Sequence, residues 1–349
     1  MEKRLEEKNL EGNQTPMATP SRILITGCTG FVGHYLVEQC HVHYPHATLF
    51  GLTHHLTRRI DSSILHNIHI SMTDITQPEA VRSLIAQSQP ELIFHLAAQS
   101  SVATSWQDPL ETLKINAGGT IHLLEALRSL SLTPRIILVG SGEQYGMVHP
   151  EDNPISEECP FRPANPYAIS KVTQDLFGHQ YFMAYQLPIM RTRSFNHFGP
   201  RQAPGFVIAN FARQIALIEA DQAEPVLSVG NLTAQRDFLP VEDVISAYLA
   251  IAAQGQPGEV YNVGSGQARS IRSILDLLLS FAKKPIQVRE DPARFRPVDV
   301  PLLEANTSRL RTHTSWQPTV PFELALQRTL DYWRSTISPA NTTKKMQNL

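Results

Sequence analysis

Tyr167 and Lys171 stand four residues apart in the segment NPYAISK, a spacing that sets a phenol and an ammonium on one face of a helix. Asn165 can cap such a helix and Pro166 suits its first turn, so both groups would be held near a rigid N-terminus. A free tyrosine, with a pKa of about 10, is a reluctant proton shuttle; a neighbouring ammonium favours its phenolate and makes Tyr167 a credible acid or base. Ser141 ends the short apolar run RIILVGS. If that run is a strand of a parallel sheet, the hydroxyl lies at the end where such sheets bind ligands, placed to polarise a carbonyl beside the tyrosine. Glu143 adds a carboxylate two positions on. A Tyr-x-x-x-Lys pair alone is common on helices. The company of Ser141 and of a glycine loop upstream, in the right order along the chain, gives this pair its weight.

The loop is RILITGCTGFVG, which places Gly27, Gly30 and Gly33 between an apolar run and a helical pattern. Gly27 permits a tight turn, Gly30 lets the backbone approach a pyrophosphate, and Gly33 lets the helix pack closely on the strand. The helix N-terminus, at Phe31 and Val32, then faces the phosphates of a dinucleotide. About 20 residues further on, a site that prefers NAD usually holds Asp or Glu against the ribose hydroxyls. Here that position reads Thr53, followed by His54 and His55. No acid stands there to repel a 2′-phosphate, and Arg58 and Arg59 are close enough in sequence to reach one, so NADP(H) is the expected cofactor and NAD(H) the alternative. Asp74, after the third apolar run, could accept a hydrogen bond from the adenine amino group. Ile75 beside it and Ala97 after the fourth run complete the expected cofactor set.

The elements that must position these groups are legible as an alternation. From Ser21 onward, RILIT, ATLFGLT, NIHISMTD, ELIFHLAA and RIILVGS read as strands, and FVGHYLVEQ, PEAVRSLIAQ and GTIHLLEALRSL as helices between them. Strands alternating with helices predict a doubly wound parallel sheet of the Rossmann type. After the helix NPYAISKVTQDLFGHQYFMAY and the run PIMRTRSFN the alternation loosens. Residues 21–196 are therefore expected to form the dinucleotide-binding domain, and 197–338 mainly a smaller C-terminal substrate-binding lobe interleaved with it. Residues 1–20 and 339–349 are polar tails with too little apolar content to fold alone.

Composition narrows the function. A net charge of −2 and the lack of any Lys/Arg cluster give no field to hold a polyanion, so no nucleic-acid partner is expected. The polar N-terminal segment is not a secretory signal and no run of apolar residues is long enough to span a bilayer, which points away from the membrane. Cys28, Cys40 and Cys159 are too scattered for a disulfide framework or a zinc site, as expected of a cytoplasmic protein. His41, His43, His46, His54 and His55 lack metal-ligand spacing and read as solvated loop residues, so no metal is expected.

TGCTGFVG, HLAAQSSV, SGEQYG and NPYAISK together resemble the extended short-chain dehydrogenase/reductase family from about Ser21 to Arg334. RSFNHFGPRQ, FVIANFARQIA, VGNLTAQRDFLPVEDV, GEVYNVGSG and RFRPVDVP narrow the likeness to the GDP-4-dehydro-6-deoxy-D-mannose reductases, with the GDP-mannose 4,6-dehydratases as near relatives. The resemblance implies a GDP-linked deoxy sugar as substrate. It assigns Ser141, Tyr167 and Lys171 to catalysis, Asn196, Arg236 and Arg296 to the sugar and diphosphate, Val207 and Asn210 to the neighbourhood of the base, and Ser100 to the substrate. It also implies a homodimer that pairs the helices of GTIHLLEALRSL and NPYAISKVTQDLFGHQY. Glu143 occupies the place where dehydratases use a glutamate to eliminate water, whereas THHLTRRI lacks their Arg-Arg-Ser-Ser run, so the reading favours a reductase with a dehydratase or bifunctional enzyme as the alternative. A 4-epimerase would call for an acid near Thr53. A non-catalytic NADP(H) sensor would ordinarily lack the tyrosine or the lysine.

Overall fold

The structure, a computed structural model, describes residues 19–54, 67–295, 298 and 300–337. Its centre is a sheet of seven parallel strands: β1 (Arg22–Thr26), β2 (Thr48–Thr53), β3 (His69–Met72), β4 (Leu92–His95), β5 (Arg135–Ser141), β6 (Ile189–Ser194) and β10 (Val260–Val263). Successive strand residues face opposite sides. Ile23 and Ile25 lie in one buried cluster and Leu24 in the other, as do Ile137 and its neighbours Ile136 and Leu138. Both faces are thus apolar and both must be covered. Helices α1 (Phe31–His43) and α8 (Val241–Gln254) cover one; α2 (Pro78–Ser88), α5 (Gly119–Ser129) and α6 (Pro166–Tyr185) cover the other.

The strand order β10-β6-β5-β4-β1-β2-β3 starts in the middle and winds outward both ways. The winding reverses between β1 and β4, and the crevice at the carboxyl ends of those two strands is where a doubly wound sheet binds its ligand. Gly27 follows β1 and Ala97 lies just beyond β4, so two of the residues expected to hold the cofactor open onto that crevice. The short helices α3 (Val102–Gln107) and α4 (Pro109–Leu113) follow β4, and a π-helical turn at Lys114–Gly118 carries α4 into α5.

The second lobe packs α7 (Val207–Glu219), α9 (Ile271–Ser280) and α11 (Phe322–Ile337) around a core of its own that includes Ile215, Leu275 and Leu326. Beside them, β9 (Gln235–Pro240) pairs with β7 (Asn196–Phe198), β11 (Ala268–Ser270) and β13 (Leu302–Leu303), while β8 (Val226–Val229) pairs with β12 (Gln287–Glu290). Between visits to this lobe the chain returns to the first, where α8, β10 and α10 (Ser308–Thr314) pack together. His41 and His43, read from sequence as loop residues, instead occupy the exposed last turn of α1. Histidines suit the carbonyl end of a helix, and His43 Nδ1 lies 2.9 Å from the carbonyl of Gln39. No helix among the described residues is long and apolar enough to cross a membrane.

Candidate active site

Helix α6 begins as its sequence dictates. Asn165 has an extended backbone, its Oδ1 accepts a hydrogen bond from the Ala168 amide at 2.8 Å, and Pro166 takes the first helical position. Tyr167 follows, 9% exposed, with the buried Lys171 one turn further on. The lysine ammonium donates to the Val139 carbonyl at 2.9 Å and to Gln174 Oε1 at 2.7 Å, tying the helix to β5 two residues before Ser141. Ser141 ends β5 and opens a short 3-10 turn, where its amide donates to Gln144 Oε1 at 2.8 Å and its Oγ accepts from the Glu143 amide at 3.2 Å. Asn165 closes the cluster by donating Nδ2–H to Glu143 Oε2 at 3.2 Å. Ser141, Glu143, Tyr167 and Lys171 therefore meet at one junction between β5 and α6.

Burial governs the protonation of this junction. It pushes the Tyr167 phenol up to about 12; the hydrogen bond with Ser141 pulls it down and the charge of Glu143 pushes it up further. Burial thus opposes the phenolate that the neighbouring ammonium and the positive nicotinamide of a bound cofactor are expected to favour. Burial likewise pulls Lys171 down to about 7. The unfolded lysine titrates at about 10.4, so between pH 7 and 10 the unfolded chain holds a proton that the folded one has released, and stability rises with pH. Melting temperatures of the wild type and of Lys171→Met, compared at pH 7 and pH 10, should therefore shift in favour of the wild type at the higher pH; a constant difference would show that Lys171 stays charged throughout.

The crevice at β1 is shaped for close approach. Gly27 has φ +70°, and a Cβ there would lie 3.0 Å from the Ala97 amide nitrogen; at Gly33 a Cβ would come within 2.2 Å of the Gly27 carbonyl. Gly30 caps α1 without a side-chain hydrogen bond, so amides of the first turn, at Phe31 and Val32, remain for an anion. These features fit a dinucleotide pyrophosphate. Thr53 is buried at the end of β2, its hydroxyl 2.6 Å from that of Thr29 in the glycine loop. Asp74 Oδ1 accepts from the Thr76 amide at 2.8 Å; burial pushes its carboxyl up, but hydrogen bonds from Thr76 outweigh this and keep it below its ordinary range. Ile75 is buried, and its carbonyl accepts from His122 at 3.0 Å. Arg58 and Arg59 lie outside the described residues.

In the second lobe Asn196 opens β7 opposite Phe238 of β9, which puts it on the same sheet face as Arg236, two residues earlier. Arg236 is 6% exposed and donates to the Gln235 carbonyl at 2.8 Å. Asp237 points the other way, where its carboxylate accepts from the amides of Ser265, Gly266 and Ala305. Val207 starts α7. Asn210, one turn on, accepts from Gln214 Nε2 at 2.6 Å and from Arg294 Nη1 at 3.3 Å, a cluster separate from the junction at Tyr167. Ser100 is exposed beyond β4. Arg296 lies outside the described residues.

The family model described as GDP-mannose 4,6 dehydratase matches residues 24–329. The chain belongs to the GDP-mannose 4,6-dehydratase family. Its similarity to the GDP-6-deoxy-D-mannose reductase of Pseudomonas aeruginosa is 34% identity over 316 residues, covering 90% of this chain and 98% of that protein. The structure of RMD from Pseudomonas aeruginosa complexed with NADPH superposes with a TM-score of 0.78 at 31% identity, covering 90% of this chain and all of that one. The UDP-glucose 4-epimerase of Thermus thermophilus in complex with NAD gives a TM-score of 0.80 at 27% identity over the same share of this chain and 100% of its own. The resemblance to extended short-chain dehydrogenases/reductases read from the sequence is thereby established.

Around the junction this family member carries polar groups that the sequence reading missed. Gln144 donates from Nε2 to Asp175 Oδ2 at 3.2 Å, and Asp175 is clamped by Arg191 at 2.6 Å and Arg193 at 3.1 Å, all buried. A signal existed: two arginines at alternate positions of the run IMRTRS would face the interior and demand a buried acid. Asn116, in the π turn, gave none. It is 1% exposed and donates to the Gln99 carbonyl at 3.0 Å and to Ser170 Oγ at 2.9 Å. π turns of this sort recur at functional sites.

Proposed function

We propose that this chain reduces the C4 ketone of GDP-4-dehydro-6-deoxy-D-mannose to a GDP-6-deoxyhexose, GDP-D-rhamnose, with NADPH as the preferred cofactor and NADH as the alternative. The observation that carries the reading is the buried phenol of Tyr167 beside the Ser141 hydroxyl, which suits a proton donor to a ketone. The similarity to GDP-6-deoxy-D-mannose reductase supports the substrate. In this reading Tyr167 gives its proton to the C4 oxygen while Ser141 donates a hydrogen bond to the negative charge that develops there. Two N–H groups of Lys171 are held by Val139 and Gln174, and the remaining position on its nitrogen would meet a ribose hydroxyl. The reduced nicotinamide, when bound, supplies the hydride. Arg236 and Asn196, on one sheet face, would bind the diphosphate and sugar. NMR of the product formed from the keto sugar tests the C4 assignment; the signals of the C4 epimer would overturn it.

A second reading, the 4,6-dehydratase, is favoured by Glu143, which Asn165 fixes beside Tyr167. Glu143→Gln keeps an acceptor for Asn165 and removes the carboxylate. It should leave ketone reduction within about threefold of wild type, under ~1 kcal/mol in the barrier. A loss of several orders of magnitude, in kcat for either substrate, would instead make Glu143 the acid and base of an elimination.

The chain is also proposed to work as a homodimer. Ile169, Leu176 and Met183 are exposed at seven-residue spacing on α6, and Leu110 and Leu113 are exposed on α4, which packs against it. Such a stripe on a helix calls for a partner face, and a second copy would supply an identical one across a two-fold axis.

A further inference from the structure

A line of buried polar groups runs from the glycine loop to the catalytic helix. Thr26, the last residue of β1, accepts at Oγ1 from the amides of Leu96 at 3.1 Å and Ala97 at 3.0 Å, and lies 2.8 Å from His95 Nδ1. His95 Nε2 lies 3.0 Å from Thr120 Oγ1, which donates to the Asn116 carbonyl in the π turn at 2.7 Å. Asn116 Nδ2 donates to Ser170 Oγ, and Ser170 donates to the Tyr167 carbonyl at 2.7 Å. Thr26, His95, Thr120, Asn116 and Ser170 are each no more than 1% exposed. Buried polar groups of this kind hold their geometry only when every donor and acceptor is matched.

The matching permits one arrangement of protons. Thr120 commits its hydroxyl proton to Asn116, so toward His95 it can only accept, and the imidazole must carry its proton on Nε2. Nδ1 is then bare and takes the hydroxyl proton of Thr26, whose lone pairs receive the two amides of the crevice floor. We propose that His95, as the Nε2–H tautomer, is a positioning residue that sets the catalytic helix against the cofactor crevice, with Thr120 as the link that fixes the π turn. Gly27 and Ala97 at one end and Tyr167 at the other are thereby held to a single separation. The proposal rests on the reductase reading for its catalytic consequence and on the hydrogen bonds alone for its structural part.

Thr120 separates positioning from packing. Thr120→Val keeps the shape and removes the hydroxyl, whereas Thr120→Ser keeps the hydroxyl and removes a buried methyl. Measured with GDP-4-keto-6-deoxymannose, Thr120→Val should lower kcat roughly 10- to 100-fold while the Kd for NADPH, followed by fluorescence, changes little, because misplacement of the acid falls on the chemical step. Thr120→Ser should restore most of kcat although loss of the buried methyl lowers its Tm below that of wild type. If Thr120→Ser loses kcat as Thr120→Val does, or if Thr120→Val turns over like wild type, the positioning role is overturned. In parallel, 15N NMR of histidine-labelled protein should show His95, recognised by its change in Thr120→Val, as the Nε2–H tautomer; an Nδ1–H ring would overturn the chain itself. A wild type inert toward the keto sugar would remove the proposed reaction while leaving the NMR result to decide the hydrogen-bonded line.

Discussion

Tyr167→Phe lowers kcat for the keto sugar by about 10³-fold and leaves the NADPH Kd close to that of wild type; a positioned general acid contributes on this order. The phenol is the one group on the first turn of α6 that can deliver a proton at the junction with Ser141. Burial, which pushes it up to about 12, keeps that proton on the oxygen at working pH. Phenylalanine fills the same space without the hydroxyl, so neither the Asn165 cap nor the Lys171 bonds to Val139 and Gln174 are disturbed. Steady-state turnover and fluorescence titration with NADPH separate the two effects. Near-wild-type turnover would remove Tyr167 from catalysis, and loss of cofactor binding would make it a structural residue of the crevice.

Asp175→Ala destabilises the fold by about 3–5 kcal/mol, the range for stripping one partner from a buried charge pair. Arg191 and Arg193 would remain inside with one acid gone between them. Their other contacts, from Arg191 to the Gly258 carbonyl and from Arg193 to Tyr145 and the Glu157 carbonyl, are neutral and cannot balance the charge. Burial pushes the Asp175 carboxyl up, but Arg193 and Arg191 outweigh it and hold it below its ordinary range. Its stabilising contribution is therefore complete above the unfolded carboxylate range, about 4, and is lost as pH falls below it. Urea denaturation at pH 7 should show the full loss, and the gap between wild type and Asp175→Asn should close in acid. An unchanged midpoint at pH 7 would mean that the two arginines are solvated in solution. Because Gln144 hangs between Asp175 and the Ser141 amide, the variant should also lose turnover well below its melting temperature.

Much of this architecture was legible before any coordinates. The Asn165 cap, the Tyr167–Lys171 spacing and Ser141 at the end of a strand are local patterns, and local patterns survive into the fold because backbone geometry enforces them. The glycine loop was legible for the same reason. Long-range partnerships were not. His95 pairs with Thr26 and Thr120, and Asn116 with Ser170, across separations of 25 to 69 residues, and a single polar residue in an apolar run has no period to betray it. β10 was equally obscure, a four-residue run, VYNV, within GEVYNVGSG that joins the first sheet only after the chain has built part of the second lobe. Burial had no local signature either: it belongs to the assembled fold, and it pushes the Tyr167 phenol up.

The proposed reduction is tested by incubating the purified protein with NADPH and either GDP-4-keto-6-deoxymannose or GDP-mannose, following nicotinamide absorbance and the products by chromatography. NADPH should be consumed with the keto sugar alone, stoichiometrically with a GDP-6-deoxyhexose. Conversion of GDP-mannose to the keto sugar without net consumption of cofactor would contradict it and make the protein a dehydratase.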